Sequence, residues 1–150
     1  MNLLLLTFGD NTDNHQQAVF AVLSFMRDPH IRRVLVVTDR PDFYRWLCGT
    51  ERNALLTEEG GEDASGERGM AAAVEILPIT WQGPQQFFWR IKIQAVAMAM
   101  AVRQYPGQHL LYVDSDTFLA GSLADMVRQL DAGAACMHCF ENRLGDRNSR

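Results

Sequence analysis

The stretch Leu110-Leu111-Tyr112-Val113-Asp114-Ser115-Asp116 carries a run of apolar residues straight into two carboxylates. An unbroken apolar run with no polar alternation describes a strand covered on both faces, as in a parallel sheet. Asp114 and Asp116 are then delivered to the end of that sheet. In extended backbone, side chains two apart share a side, so the spacing predicts Asp114 and Asp116 facing one ion while Ser115 points away. Hard carboxylate oxygens suit Mg²⁺ or Mn²⁺, ions that keep positions open for water and phosphate oxygens. A bare D-x-D also fits a strand end that merely begins a loop, and the surrounding chain separates the two readings.

Working outward, the chain alternates strands with helices. Leu3 to Phe8 is continuously apolar and stops at Gly9-Asp10-Asn11, the pattern of a second two-sided strand. Thr12 or Asp13 is placed to cap a helix with Ala18, Val22, Phe25 and Met26 at helical spacing, ended by Asp28-Pro29. Ile31 to Thr38 reads as a further strand with Asp39 at its C-terminal end, and Pro41 opens a short helix closed by Gly49. Val74 to Ile79 is a strand that Pro78 confines to an edge or a terminus. Gln85 to Tyr105 reads as the longest helix. It carries one stripe of Phe87, Ile91, Ala95, Met98 and Val102, and another of Trp89, Ile93, Val96 and Met100, which predicts burial on two sides. Ser122 is placed to cap a helix through Leu130, Gly133 ends it, and Ala134 to Phe140 reads as a fifth strand.

This alternation predicts an α/β fold, a Rossmann-like doubly wound sheet, mostly parallel, with ligands bound beyond the strand C-termini. The 150 residues make one domain, 1–150, with a surface insertion at about 50–73 and a polar tail at 141–150. Topology alone should bring Thr7 to Asp10, Asp39 and Asp114 to Asp116 into one crevice. Arg90 and Lys92 open the long helix, where the macrodipole disfavours cations by up to about 1 kcal/mol each. A bound diphosphate would compensate them. Two residues apart on a helix is about 200° of rotation, so only one of the pair can face such a ligand.

Composition excludes several classes. Net charge is −4, without a basic stripe, so nucleic acid is not an expected partner. The apolar run at the N-terminus is far shorter than the roughly 18 residues of a membrane span and lacks a basic leader. Three cysteines, Cys48, Cys136 and Cys139, fit free thiols in a reducing cytoplasm. No P-loop and no G-x-G-x-x-G is present.

The strand into Asp114-Ser115-Asp116, the following Thr117-Phe118-Leu119-Ala120-Gly121-Ser122-Leu123, and Phe88-Trp89-Arg90-Ile91-Lys92 before it resemble the GT-A fold nucleotide-diphospho-sugar glycosyltransferases. The resemblance covers most of the chain in element order and the span Phe87 to Leu123 in motif detail. It implies Mn²⁺ or Mg²⁺ on Asp114 and Asp116, bridging the diphosphate of a sugar nucleotide, with a UDP-sugar favoured. It further implies donor contacts from Thr7, Phe8, Gly9, Asp39, Asp114 and Ser115, and phosphate contact from Arg90 or Lys92. Catalytic residues and the acceptor are left open. GT-A enzymes continue past the fifth strand, whereas this sequence stops at Arg150. The expected readings are therefore a donor-binding part of a cytoplasmic transferase, a half-fold completed by a second chain, or a non-catalytic binder.

Two other constellations compete. Asp114-Ser115-Asp116-Thr117-Phe118 also looks like the nucleophile motif of haloacid-dehalogenase-type phosphatases, but Phe118 departs from that pattern and the motif follows the fourth strand instead of the first. Cys136-Met137-His138-Cys139 has metal-like spacing without a second pair, which reads as small buried residues. His15, at the start of the first helix, is placed to approach a phosphate, with capping or a surface role as the alternatives.

Overall fold

A computed structural model of the chain describes residues 1–49, 72–80, 89–101 and 109–135. The remainder of the expected insertion, the fifth strand beyond Ala135, the Cys136–Cys139 cluster and the tail at 141–150 lie outside the described residues. The elements are β1 (Asn2–Thr7), α1 (Thr12–Met26), β2 (Arg33–Thr38), α2 (Pro41–Tyr44) with a 3-10 turn (Arg45–Cys48), β3 (Ala73–Pro78), α3 (Trp89–Ala101), β4 (Leu110–Val113) and α4 (Ala124–Asp131). Ala73 already belongs to β3, so the strand begins inside the segment expected to be insertion. Ala134 and Ala135, expected to open a strand, are exposed and in no element.

The four strands are parallel, in the order β3-β2-β1-β4. The sheet is therefore a doubly wound α/β sheet of Rossmann type. From β1 the chain winds outward through β2 to β3, then returns across the sheet to place β4 on the other side of β1. The reversal opens a crevice between the C-terminal ends of β1 and β4, because the connections leaving these two strands run in opposite directions. Leu3 pairs with Val34 on one side and Leu111 on the other, and Leu5 pairs with Val36 and Val113.

Strand alternation divides the core in two. Leu3, Leu5, Val34 and Val36 pack with Ala18, Val22 and Phe25 of α1 and with Tyr44 and Leu47. Leu4, Leu6, Leu35 and Val37 pack with Ile91, Ala95 and Ala99 of α3. β1 is apolar from Leu3 to Leu6 because each face meets a different helix layer. The expectation that α3 is buried on two sides does not hold. Ile91 is 1% exposed, whereas Ile93 is 70% and Met100 55% exposed, since α3 meets the sheet with one face. Among the described residues no helix is long and apolar enough to cross a membrane.

Helix starts also differ from expectation. The cap of α1 is Asn11, whose extended backbone lets Oδ1 accept from the Asp13 N–H at 3.0 Å. Before α4 the capping position is Leu123, turned into the core, and Ser122 Oγ accepts from the Ala124 N–H at 3.2 Å. Gly133, with φ of +90°, closes α4 as expected.

Two side chains at the end of α1 hold the loop that follows the acidic motif. Ser24 Oγ accepts from the Leu119 N–H at 3.1 Å, and Asp28 Oδ2 accepts from the Leu123 N–H at 2.8 Å. Asp28 Oδ1 accepts from both the backbone N–H and Nδ1 of His30. Burial works to raise the Asp28 pKa, but these hydrogen bonds outweigh it and hold the carboxyl below its usual range.

Asp28→Ala leaves the buried Leu123 N–H without its acceptor and is expected to cost about 1–3 kcal/mol in urea unfolding at pH 7. A depressed carboxylate pKa contributes stability above the unfolded value of about 3.9 and loses it as pH falls through the folded value. The advantage of wild type over the variant should therefore shrink below about pH 4, and a gap independent of pH would contradict the assignment.

Candidate functional site

β4 ends at Val113, and the chain then turns. The Thr117 N–H donates to the Asp114 carbonyl at 3.0 Å, closing a turn with Ser115 and Asp116 at its centre. The backbone is thus not extended through Asp114-Ser115-Asp116, and strand alternation is not what sets the direction of Asp116. Both acids are exposed and Ser115 is half-buried.

The sequence-predicted residues assemble in two groups. In the first, Lys92 Nζ on α3 lies 2.7 Å from Asp114 Oδ1, the same oxygen that accepts from the Tyr112 hydroxyl at 3.0 Å. The ammonium also stands 5.7 Å from the centre of the Tyr112 ring, within reach of its π face. Burial first, then the hydrogen bond and the negative charge of Asp114, push the Tyr112 pKa well above its ordinary value. Tyr112 therefore remains an O–H donor toward Asp114. Nothing in the sequence reading pointed to this contact, although Tyr112 stands two residues before Asp114 and so shares its side of the strand.

Of the two cations expected near a ligand, Lys92 is beside the acidic motif and Arg90 is exposed elsewhere on the first turn of α3. The rotation of about 200° between them keeps Arg90 off the face that Lys92 occupies.

The second group closes around Gly9, which has φ of +95°. Asp39 Oδ2 accepts from the Gly9 N–H at 2.9 Å, tying the end of β2 to the end of β1. Thr38 Oγ1 accepts from the Arg40 N–H at 3.1 Å and shapes the same turn. Thr7 is buried, with its hydroxyl 3.3 Å from His15 Nδ1, so it supports the loop from beneath. Phe8 is half-buried against the α3 side of the core. His15 is fully buried, which replaces the capping and surface roles considered for it.

Among the described residues no group of three or more His, Cys, Asp or Glu side chains converges on one point. The protein donors near the acidic turn are two exposed carboxylates. That set suits a hard divalent ion whose remaining positions are taken by water and substrate phosphates, and does not suit one caged by protein alone.

No protein-family model matches the chain, and no curated protein does. Among solved structures, the crystal structure of S. aureus TarS 1-349 aligns with a TM-score of 0.41 and 18% sequence identity, covering 87% of this chain and 32% of that one. The chain thus spans less than half the length of that structure. A likeness this shallow says nothing about chemistry.

The ion pair between Lys92 and Asp114 is partly exposed, at 36% and 55% of the side chains, and solvated pairs of this kind contribute about 0–1 kcal/mol. Asp114→Asn is expected to change the unfolding free energy by less than about 1 kcal/mol in chemical denaturation. A loss of about 3 kcal/mol or more would mark the pair as structural.

Proposed function

We propose that the chain is the donor-binding part of a metal-dependent glycosyltransferase, moving a sugar from a nucleotide diphosphate, with UDP-sugars favoured, to an acceptor hydroxyl. The observation that carries this reading is the placement of Asp114 and Lys92, in contact at the acidic turn, beside the reversal point of a parallel sheet. Crevices at such reversal points hold nucleotides, and a carboxylate next to a flexible ammonium matches the two needs of a diphosphate, a metal holder and a direct cation.

In this reading Asp114 and Asp116 hold Mn²⁺ or Mg²⁺, which supplies charge neutralisation for the departing nucleoside diphosphate. Tyr112 keeps Asp114 oriented through its hydroxyl. Lys92 holds the Asp114 charge in the free protein and, with donor bound, contributes its own charge to the phosphate oxygens. Asp39 and the Gly9 turn shape the wall on the β1 and β2 side, where the nucleoside would lie. Because the protein offers two carboxylates to the ion, metal and nucleotide should each strengthen the binding of the other.

Titration calorimetry with UDP and with GDP, each with Mn²⁺ and with EDTA, tests the reading. UDP binding that depends on Mn²⁺ is the expected result, and no binding of either nucleotide under either condition would overturn it. Asp116→Ala is expected to weaken UDP binding about tenfold or more with Mn²⁺ and by less than about threefold in EDTA, because the lost contact is to the bridging ion. Equal weakening in both conditions would remove Asp116 from the metal site.

A further inference from the structure

Gly9 is held at both of its backbone polar groups. Its N–H donates to Asp39 Oδ2 at 2.9 Å, and its carbonyl lies 2.7 Å from His15 Nε2. A carbonyl only accepts, so Nε2 carries the proton and donates. The other ring nitrogen, Nδ1, faces the Tyr44 hydroxyl at 2.8 Å and the Thr7 hydroxyl at 3.3 Å. The ring itself lies against Phe43 and Tyr44, with centroids 5.5 and 5.8 Å away. Burial pushes the Tyr44 hydroxyl up to about 12, so it stays protonated beside the imidazole.

A wholly buried imidazole with partners on both nitrogens is oriented without freedom, and here the outward nitrogen ends on the glycine of the β1 turn. That glycine sits at φ of +95°, a conformation other residues seldom adopt. We infer that His15 is a positioning residue for the nucleotide side of the crevice, fixing the Gly9 carbonyl so that the Gly9 N–H keeps Asp39 in place. The inference rests on the donor-site reading above for its ligand, but the link from His15 through Gly9 to Asp39 does not need a ligand to exist. Asp39 is exposed, and a solvated carboxylate on a mobile turn would be a poor recognition element. The clamp turns it into a fixed one by removing the entropy of ordering the turn before the nucleotide arrives.

Two substitutions in the full chain separate this role from simple packing. His15→Gln returns an N–H donor near the Nε2 position, whereas His15→Asn returns one only near Nδ1 and falls short of Gly9. Amide hydrogen exchange at Gly9 reports the clamp directly, and UDP affinity with Mn²⁺ reports its consequence. The expected result is Gly9 protection and UDP affinity within about threefold of wild type for His15→Gln, and about tenfold faster exchange with about tenfold weaker binding for His15→Asn. Nitrogen chemical shifts of the wild-type ring should show the proton on Nε2. Identical behaviour of the two variants, unchanged Gly9 exchange in His15→Asn, or a proton on Nδ1 alone would overturn the inference. If wild type bound no UDP, the donor reading would fail while Gly9 exchange would still decide the clamp.

Discussion

Burial of β1 on both faces is the constraint on which the rest of the structure depends. Leu3 and Leu5 meet α1, Leu4 and Leu6 meet α3, and all but Leu6 at 5% are fully removed from solvent. A strand of that kind is stable only in the middle of a sheet with helices on both sides, which demands crossovers to each face. Once β2 and β3 lie to one side and β4 to the other, the reversal beside β1 is unavoidable. The crevice is thus a consequence of where four leucines find cover.

The two walls of that crevice are held by different physics. On the β4 side the contacts are exposed and ionic, joining Lys92, Asp114 and Tyr112, and they contribute little to folding. Exchange of the Lys92 ammonium for another cation at Asp114 therefore costs little. On the β1 side the contacts run through a buried imidazole and its hydroxyl partners, where each hydrogen bond is costly to leave unmade. An adaptable ionic wall faces a rigid neutral one. The loop after the acidic turn is fixed by Ser24 and Asp28 of α1, so that helix supports both sides at once.

The strands and their parallel order were legible in the sequence because unbroken apolar runs such as Leu3-Leu4-Leu5-Leu6 and Val34-Leu35-Val36-Val37 need helix cover on both faces, which a parallel sheet provides. The approach of Lys92 to Asp114 and of Asp39 to the β1 turn followed from topology as well. Other features could not be read locally. The two apolar stripes of α3 have equal periodicity, and only the packing showed that Ile93 remains exposed. The contacts of Ser24 and Asp28 span 95 residues, a separation at which sequence pattern carries no signal. His15 looked like a helix-start residue because its buried partners Thr7 and Tyr44 come from other elements. The turn at Ser115 and Asp116 was hidden by the expectation that a strand continues through its last acids.

Paramagnetic broadening by Mn²⁺ in the ¹⁵N-labelled full chain, with UDP present, locates the ion and the crevice in one spectrum. If the acidic turn holds the ion against the nucleotide, the amides of Ser115, Asp116 and Thr117 are lost first, followed by those of Phe8 and Gly9, and the pattern fades when UDP is withheld. Broadening centred on another acidic region, such as Asp125 to Asp131 of α4, or a pattern indifferent to UDP, would contradict a metal-bridged donor site at the end of β4.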